Sequence, residues 1–207
     1  MLKKGALLTC MCFIGFYVQS MERRDILQKE ADAVGLEGEL VQSFSELPFP
    51  EYGDRFFWES LPDTIRAQYI ERAESYLDYP WPSLKATDFL EIIRSGDRRG
   101  DAFKMPLRVL QILMMGELVA GDGRFLDQIV NGVWYFCEQT WWGRSAHLKM
   151  QAAPHGLPDV DDPVIDLGVG DVAHTLSWAW QLFKPQFDAI HPLIAKRIRR
   201  EVMAKVL

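Results

Sequence analysis

The sequence predicts an all-α protein assembled from antiparallel helical hairpins. Three observations carry that expectation. Apolar residues recur at helical spacing through most of the chain after Trp58, no comparable run alternates with period two, and Gly or Pro closes successive helical segments. Helices of this length joined by short turns pack as antiparallel neighbours.

The elements follow in order. Ser60 precedes Leu61-Pro62-Asp63, which reads as a serine N-cap with an acid at the third helical position. Ile65, Tyr69, Ala73, Tyr76 and Leu77 then recur at helical spacing until Pro80 and Pro82 stop the run. Thr87-Asp88 opens the next helix, with Phe89, Ile92 and Ile93 apolar and Gly96 at its end. A polar turn at 96–101 leads to a third helix carrying Leu107, Leu110, Leu113, Met114 and Leu118, closed by Gly121. Phe125, Ile129, Val130, Val133 and Phe136 mark a fourth, and Val172, Leu176, Ala179 and Phe183 a fifth. Pro192, suited to a helical start, opens a sixth with Leu193, Ile194, Ile198 and Val202.

The chain divides into three expected parts. Residues 1–20 have the layout of a secretory signal: Lys3 and Lys4, an uncharged apolar run from Ala6 to Val18, then Gln19-Ser20. That run is too short to span a bilayer comfortably. Residues 21–57 form an N-terminal arm, in which Pro48 and Pro50 demand extended backbone, and 58–207 form the helical domain. Loss of residues 1–20 removes two of the 23 basic residues and none of the 29 acidic ones, taking the net charge from −6 to −8. Such a surface repels nucleic acid on average, so a polyanionic ligand needs a local basic cleft. The basic run Lys196-Arg197-Ile198-Arg199-Arg200 is read as a solvated helix face. Cys10 and Cys12 leave with the signal, and the remaining Cys137 is expected to be a small core residue.

Residues 137–171 form a long connection for a helical domain, and long ordered loops in compact domains are usually functional. Trp141, Trp142, Arg144 and His147 cluster there. Indole faces suit the C–H surface of a sugar, and Arg and His suit its hydroxyls and carboxylates, so these four are the expected substrate-binding residues. His155, Asp159, Asp161, Asp162, Asp166 and Asp171 form an acid-rich run, but the glycine and terminal glutamate of an EF-hand loop are missing, and caps and turns explain the aspartates better than a metal. No metal site and no cofactor are expected in this chain. His174 and Trp178 share one face of the fifth helix, with Trp180 pointing nearly opposite.

Three stretches carry a family resemblance: LPDTIRAQYIERAESYLDYPWPSL, RFLDQIVNGVWYFCEQTWWGRSAHL, and LPD followed by DPVIDLGVGDVAHTLSW. With them, Leu61 to Leu207 resembles the N-terminal helical region of heparinase II/III-like polysaccharide lyases. The resemblance implies that the hairpins form part of an (α/α) toroid, followed in the family by a β-sandwich domain that carries a metal site. It also implies β-elimination of uronic-acid polysaccharides, with an acidic polysaccharide or oligosaccharide as partner in the periplasm or outside the cell. Neither nucleic acid nor, after signal removal, membrane is an expected partner. The family's main catalytic residues would lie beyond Leu207, so the chain is expected to be truncated and inactive alone. Similar sequences carry Gly-Glu-Thr-Ala after Ile-Asp-Leu, where this one has Gly170-Asp171-Val172-Ala173.

Two rival readings remain. A toroid glycoside hydrolase or epimerase needs two acids facing one cleft, for which Glu138 and Asp171 are the available pair. A non-catalytic glycan-binding helical domain needs only the binding residues.

Overall fold

The computed structural model describes residues 49–95, 104–152 and 156–206, together with 29, 32 and 33. The chain forms two compact units, Met1–Phe49 and Pro50–Leu207. The expected signal segment, most of the arm and the turn at 96–101 lie outside the described residues. Residues 50–57, read from sequence as the end of the arm, belong to the second unit.

Among the described residues of this unit the regular elements are helical and there is no strand. They are α1 (Arg55–Ser60), α2 (Asp63–Glu74), α3 (Ala86–Ser95), α4 (Lys104–Ala120), α5 (Leu126–Glu138), a 3-10 helix (Ser145–Met150), α6 (Leu167–Ile190) and α7 (Leu193–Val206). The six expected helices correspond to α2 through α7; α1 and the 3-10 helix are additions. No described helix is long and apolar enough to cross a membrane.

The broadest packing joins α2 to α4 and α6 to α7, with α5 set against α4, α6 and α7. Leu110, Leu113, Leu118, Ile129, Phe136, Leu176, Phe183, Phe187 and Ile198 fill the space between them and are fully buried. α2 contributes less than its spacing suggests. Only Ala73 is buried, while Ile65 and Tyr69 stay 39% exposed. Ala73 meets α4 at Gly116, where an added Cβ would fall 2.2 Å from the Ala73 Cβ, so the two helices can touch there only because Gly116 has no side chain.

Ser60 does not cap α2. Its hydroxyl donates back to the Phe57 carbonyl at the end of α1, and Pro62 holds the N-cap position without a side-chain hydrogen bond. The cap in this region belongs to α1, where the Asp54 carboxylate accepts from the Phe57 N–H at 3.1 Å.

The turn between α4 and α5 is organised by a carboxylate inside the protein. Glu117 is fully buried and accepts from the Tyr52 hydroxyl at 2.8 Å, the Gly123 N–H at 2.9 Å and the Phe125 N–H at 3.0 Å. Burial, then the hydrogen bond and charge of Glu117, push the Tyr52 phenol above its ordinary pKa, which keeps it a donor. Alongside, the Arg55 guanidinium donates to the Leu118 and Val119 carbonyls at 2.8 and 2.9 Å. A cation on the last carbonyls of a helix both satisfies them and opposes the negative end of its dipole. Gly121, at φ +66°, ends α4 as the sequence predicts.

Candidate functional site

The connection from α5 to α6 is an ordered fold over the helix ends. The Trp142 indole N–H donates to the Phe136 carbonyl at 2.9 Å, closing the C-terminus of α5, and the Lys205 ammonium of α7 sits 4.9 Å from the ring centre. Trp142 is only 1% exposed and Trp141 only 5%. The two indoles expected on a sugar cleft therefore lie in the interior. Their edges reach a pocket of about 180 Å³ shared with Asp159, Val160, Pro163 and Val164, below the roughly 300 Å³ at which ligand pockets begin. Their burial fixes the loop; it leaves no open aromatic platform.

Arg144 and His147 are placed differently. Asp166 caps α6, its Oδ1 accepting from the Val169 N–H at 2.9 Å. Its Oδ2 accepts from the Arg144 N–H at 2.8 Å and meets His147 Nδ1 at 2.5 Å. Burial works against the charged carboxylate, but the Val169 and Arg144 N–H groups and the His147 imidazole outweigh it and hold the Asp166 pKa below the usual carboxylate range. An ionised carboxylate only accepts, so Nδ1 carries the proton and Nε2 faces away from Asp166.

The backbone allows this approach because position 168 is glycine. A Cβ there would fall 2.9 Å from the Trp142 carbonyl and 3.0 Å from the Arg144 nitrogen. Arg144 is exposed, and its guanidinium lies 3.7 Å from the Asp171 carboxylate. One aspartate, its carboxylate buried, thus orients an imidazole and fixes the backbone of an arginine at the N-terminus of α6. Chemically, such a pair can receive a carboxylate: the guanidinium as a two-pronged donor, the imidazole as a single one when protonated.

The remaining candidates separate. Glu138 pairs with Arg197 of α7 at 3.1 Å and Asp171 with Arg144, so the two acids of the hydrolase alternative are engaged by different cations. Gln151 organises the acid-rich run, donating to the Asp159 and Asp162 carbonyls at 2.7 and 2.8 Å, while the Asp162 carboxylate accepts from the Ala152 N–H. No group of acids, His or Cys able to hold a metal occurs among the described residues; His155 lies outside them. The His174 and Trp178 rings lie 6.2 Å apart on α6, tilted by 59° to each other. Tyr135 is buried against Trp81 and Phe136, and burial raises its pKa. Burial, then the Glu201 charge, push the Cys137 thiol up to about 12, which makes it the inert core cysteine the sequence predicts.

Sequence reasoning placed Asp166 among the turn-forming acids without seeing that it joins two distant segments. The spacing that could have suggested it is the Asp directly before Leu167, at the N-cap position of a helix. The chain matches no protein-family model and no curated protein.

Proposed function

We propose that this chain is the helical, toroid-forming portion of a heparinase II/III-like polysaccharide lyase, exported to the periplasm or beyond, and that Arg144 and His147 hold a uronate carboxylate of its substrate. The observation that carries the reading is the meeting at Asp166. Two of the segments that resemble the family, WWGRSAHL and VIDLGVGD, are distant in sequence yet joined by the Asp166 bonds to the Arg144 N–H and His147 Nδ1. A sequence pattern tied together by one buried carboxylate has a physical reason to exist, and the side chains it orients suit an acidic sugar.

Lyase chemistry needs the uronate charge neutralised while a base removes the neighbouring proton. In this reading the chain supplies part of the neutralisation, and the base and acid come from the rest of the enzyme, as the resemblance implies. Tyr135, the tyrosine nearest the loop in sequence, supports that division of labour because it is buried and its phenol resists ionisation.

The test follows the His147 imidazole resonances while tetragalacturonate is added to the chain. Arg144→Ala is expected to weaken the affinity read there by at least ~10-fold, about the 1.4 kcal/mol of a charge-assisted hydrogen bond. No unsaturated uronate should accumulate in ultraviolet absorbance. Unchanged affinity in Arg144→Ala, or clear turnover by the chain alone, overturns the assignment.

A further inference from the structure

We infer that the groove between α6 and α7 is a second binding site for an acidic saccharide, sharing no residue with the Arg144–His147 surface. Trp180, Lys184 and Asp188 follow one another at four-residue steps and so share a face of α6. On α7, Lys196, Arg199, Arg200 and Met203 line the opposite wall. The floor includes Ala195, a buried residue too small to fill the space between the helices. The resulting groove has a volume of about 640 Å³, within the range of roughly 300–1,000 Å³ typical of ligand sites.

Its charge is the reverse of the whole chain's. Four cations and one acid line it in a protein whose net charge is −6. Some of that charge is already matched: Lys184 pairs with Asp188, and Arg200 bonds Glu201 at 2.7 Å. Lys196 and Arg199 are exposed, and among the described residues no acid pairs with either. The neighbouring Arg197 shows what a committed cation on this helix looks like. It turns the other way, donates to the Cys137 carbonyl at 3.1 Å and covers the Trp134 ring at 5.4 Å.

A groove with two uncommitted cations and an indole wall fits an oligouronate. The carboxylates reach Lys196 and Arg199, and a sugar C–H face lies on Trp180. Nucleic acid fits less well. Its denser charge meets stronger repulsion from the rest of this acidic chain, and one tryptophan cannot stack successive bases.

The test must separate this groove from the Arg144–His147 surface, so the readout is local. Seven tryptophans give seven indole N–H resonances in a proton–nitrogen correlation spectrum, and Trp180→Phe assigns the one that matters. Adding tetragalacturonate to the whole chain should shift the Trp180 resonance, with an affinity that falls as salt rises. The double variant Lys196→Gln/Arg199→Gln should weaken that response by at least ~10-fold while circular dichroism stays helical. Arg144→Ala should leave it unchanged, so either site can fail alone. A Trp180 resonance that ignores tetragalacturonate, or that responds equally to neutral maltotetraose or to single-stranded DNA, overturns the inference.

Discussion

Replacing Glu117 by leucine is expected to destabilise the chain by about 3–5 kcal/mol, the cost of stranding one buried and two half-buried donors that a buried carboxylate had satisfied. Three donors lose their acceptor together: the Tyr52 hydroxyl and the Gly123 and Phe125 N–H groups. Phe125 is itself fully buried, so water cannot readily replace the lost partner. Glu117→Gln is the sharper variant because it keeps the volume. Its amide can still present one oxygen, but the second acceptor becomes an N–H₂ facing another donor, and the loss should be about 1–3 kcal/mol. Urea denaturation measures both. A Glu117→Leu midpoint close to wild type would show that the turn does not depend on this network.

Asp166→Ala should cost about 2–4 kcal/mol, roughly 1 kcal/mol for the lost N-cap and the rest for the Arg144 N–H and His147 released with it. The effect should be concentrated locally. Hydrogen exchange is expected to speed up at 144–147 and in the first turn of α6, with the core of α4 and α5 less affected. The acid response gives a second check. The folded pKa of Asp166 is depressed, so its stabilisation is present above the unfolded value of about 4 and is lost as the pH falls through the folded value. Asp166→Ala should remove that part of the acid-side slope. Unchanged exchange at 144–147 would detach the loop from its supposed anchor.

The helices were legible because their apolar spacing is set by the core they fill. Leu110, Leu113, Ile129, Val133, Leu176 and Phe183 were all predicted on apolar faces and are all buried. Local chemistry was less legible. Ser60 stands where one helix ends and another is about to begin, and its hydroxyl can bond in either direction; the backward bond to Phe57 wins. The Trp141–Trp142 pair is costly to leave in water, but the sequence does not say whether a sugar or the protein covers it. The protein does, because the Phe136 carbonyl at the end of α5 offers the Trp142 N–H a partner. The basic run on α7 looks in sequence like one solvated face, yet helical geometry divides it, sending Arg197 toward α5 and Lys196, Arg199 and Arg200 into the groove. Asp166 was the least legible, since its partners come from a segment that meets it only in the folded chain.

The proposed role of the surface organised by Asp166 is to recognise the carboxylate of an acidic sugar. Its most direct test compares tetragalacturonate with its carboxyl-reduced neutral counterpart, reading the His147 imidazole resonances during titration of the chain. Carboxylate recognition predicts saturable shifts with the acid that weaken as salt rises, and at least ~10-fold weaker binding of the neutral sugar. Equal shifts with both sugars, or none with either, would contradict it.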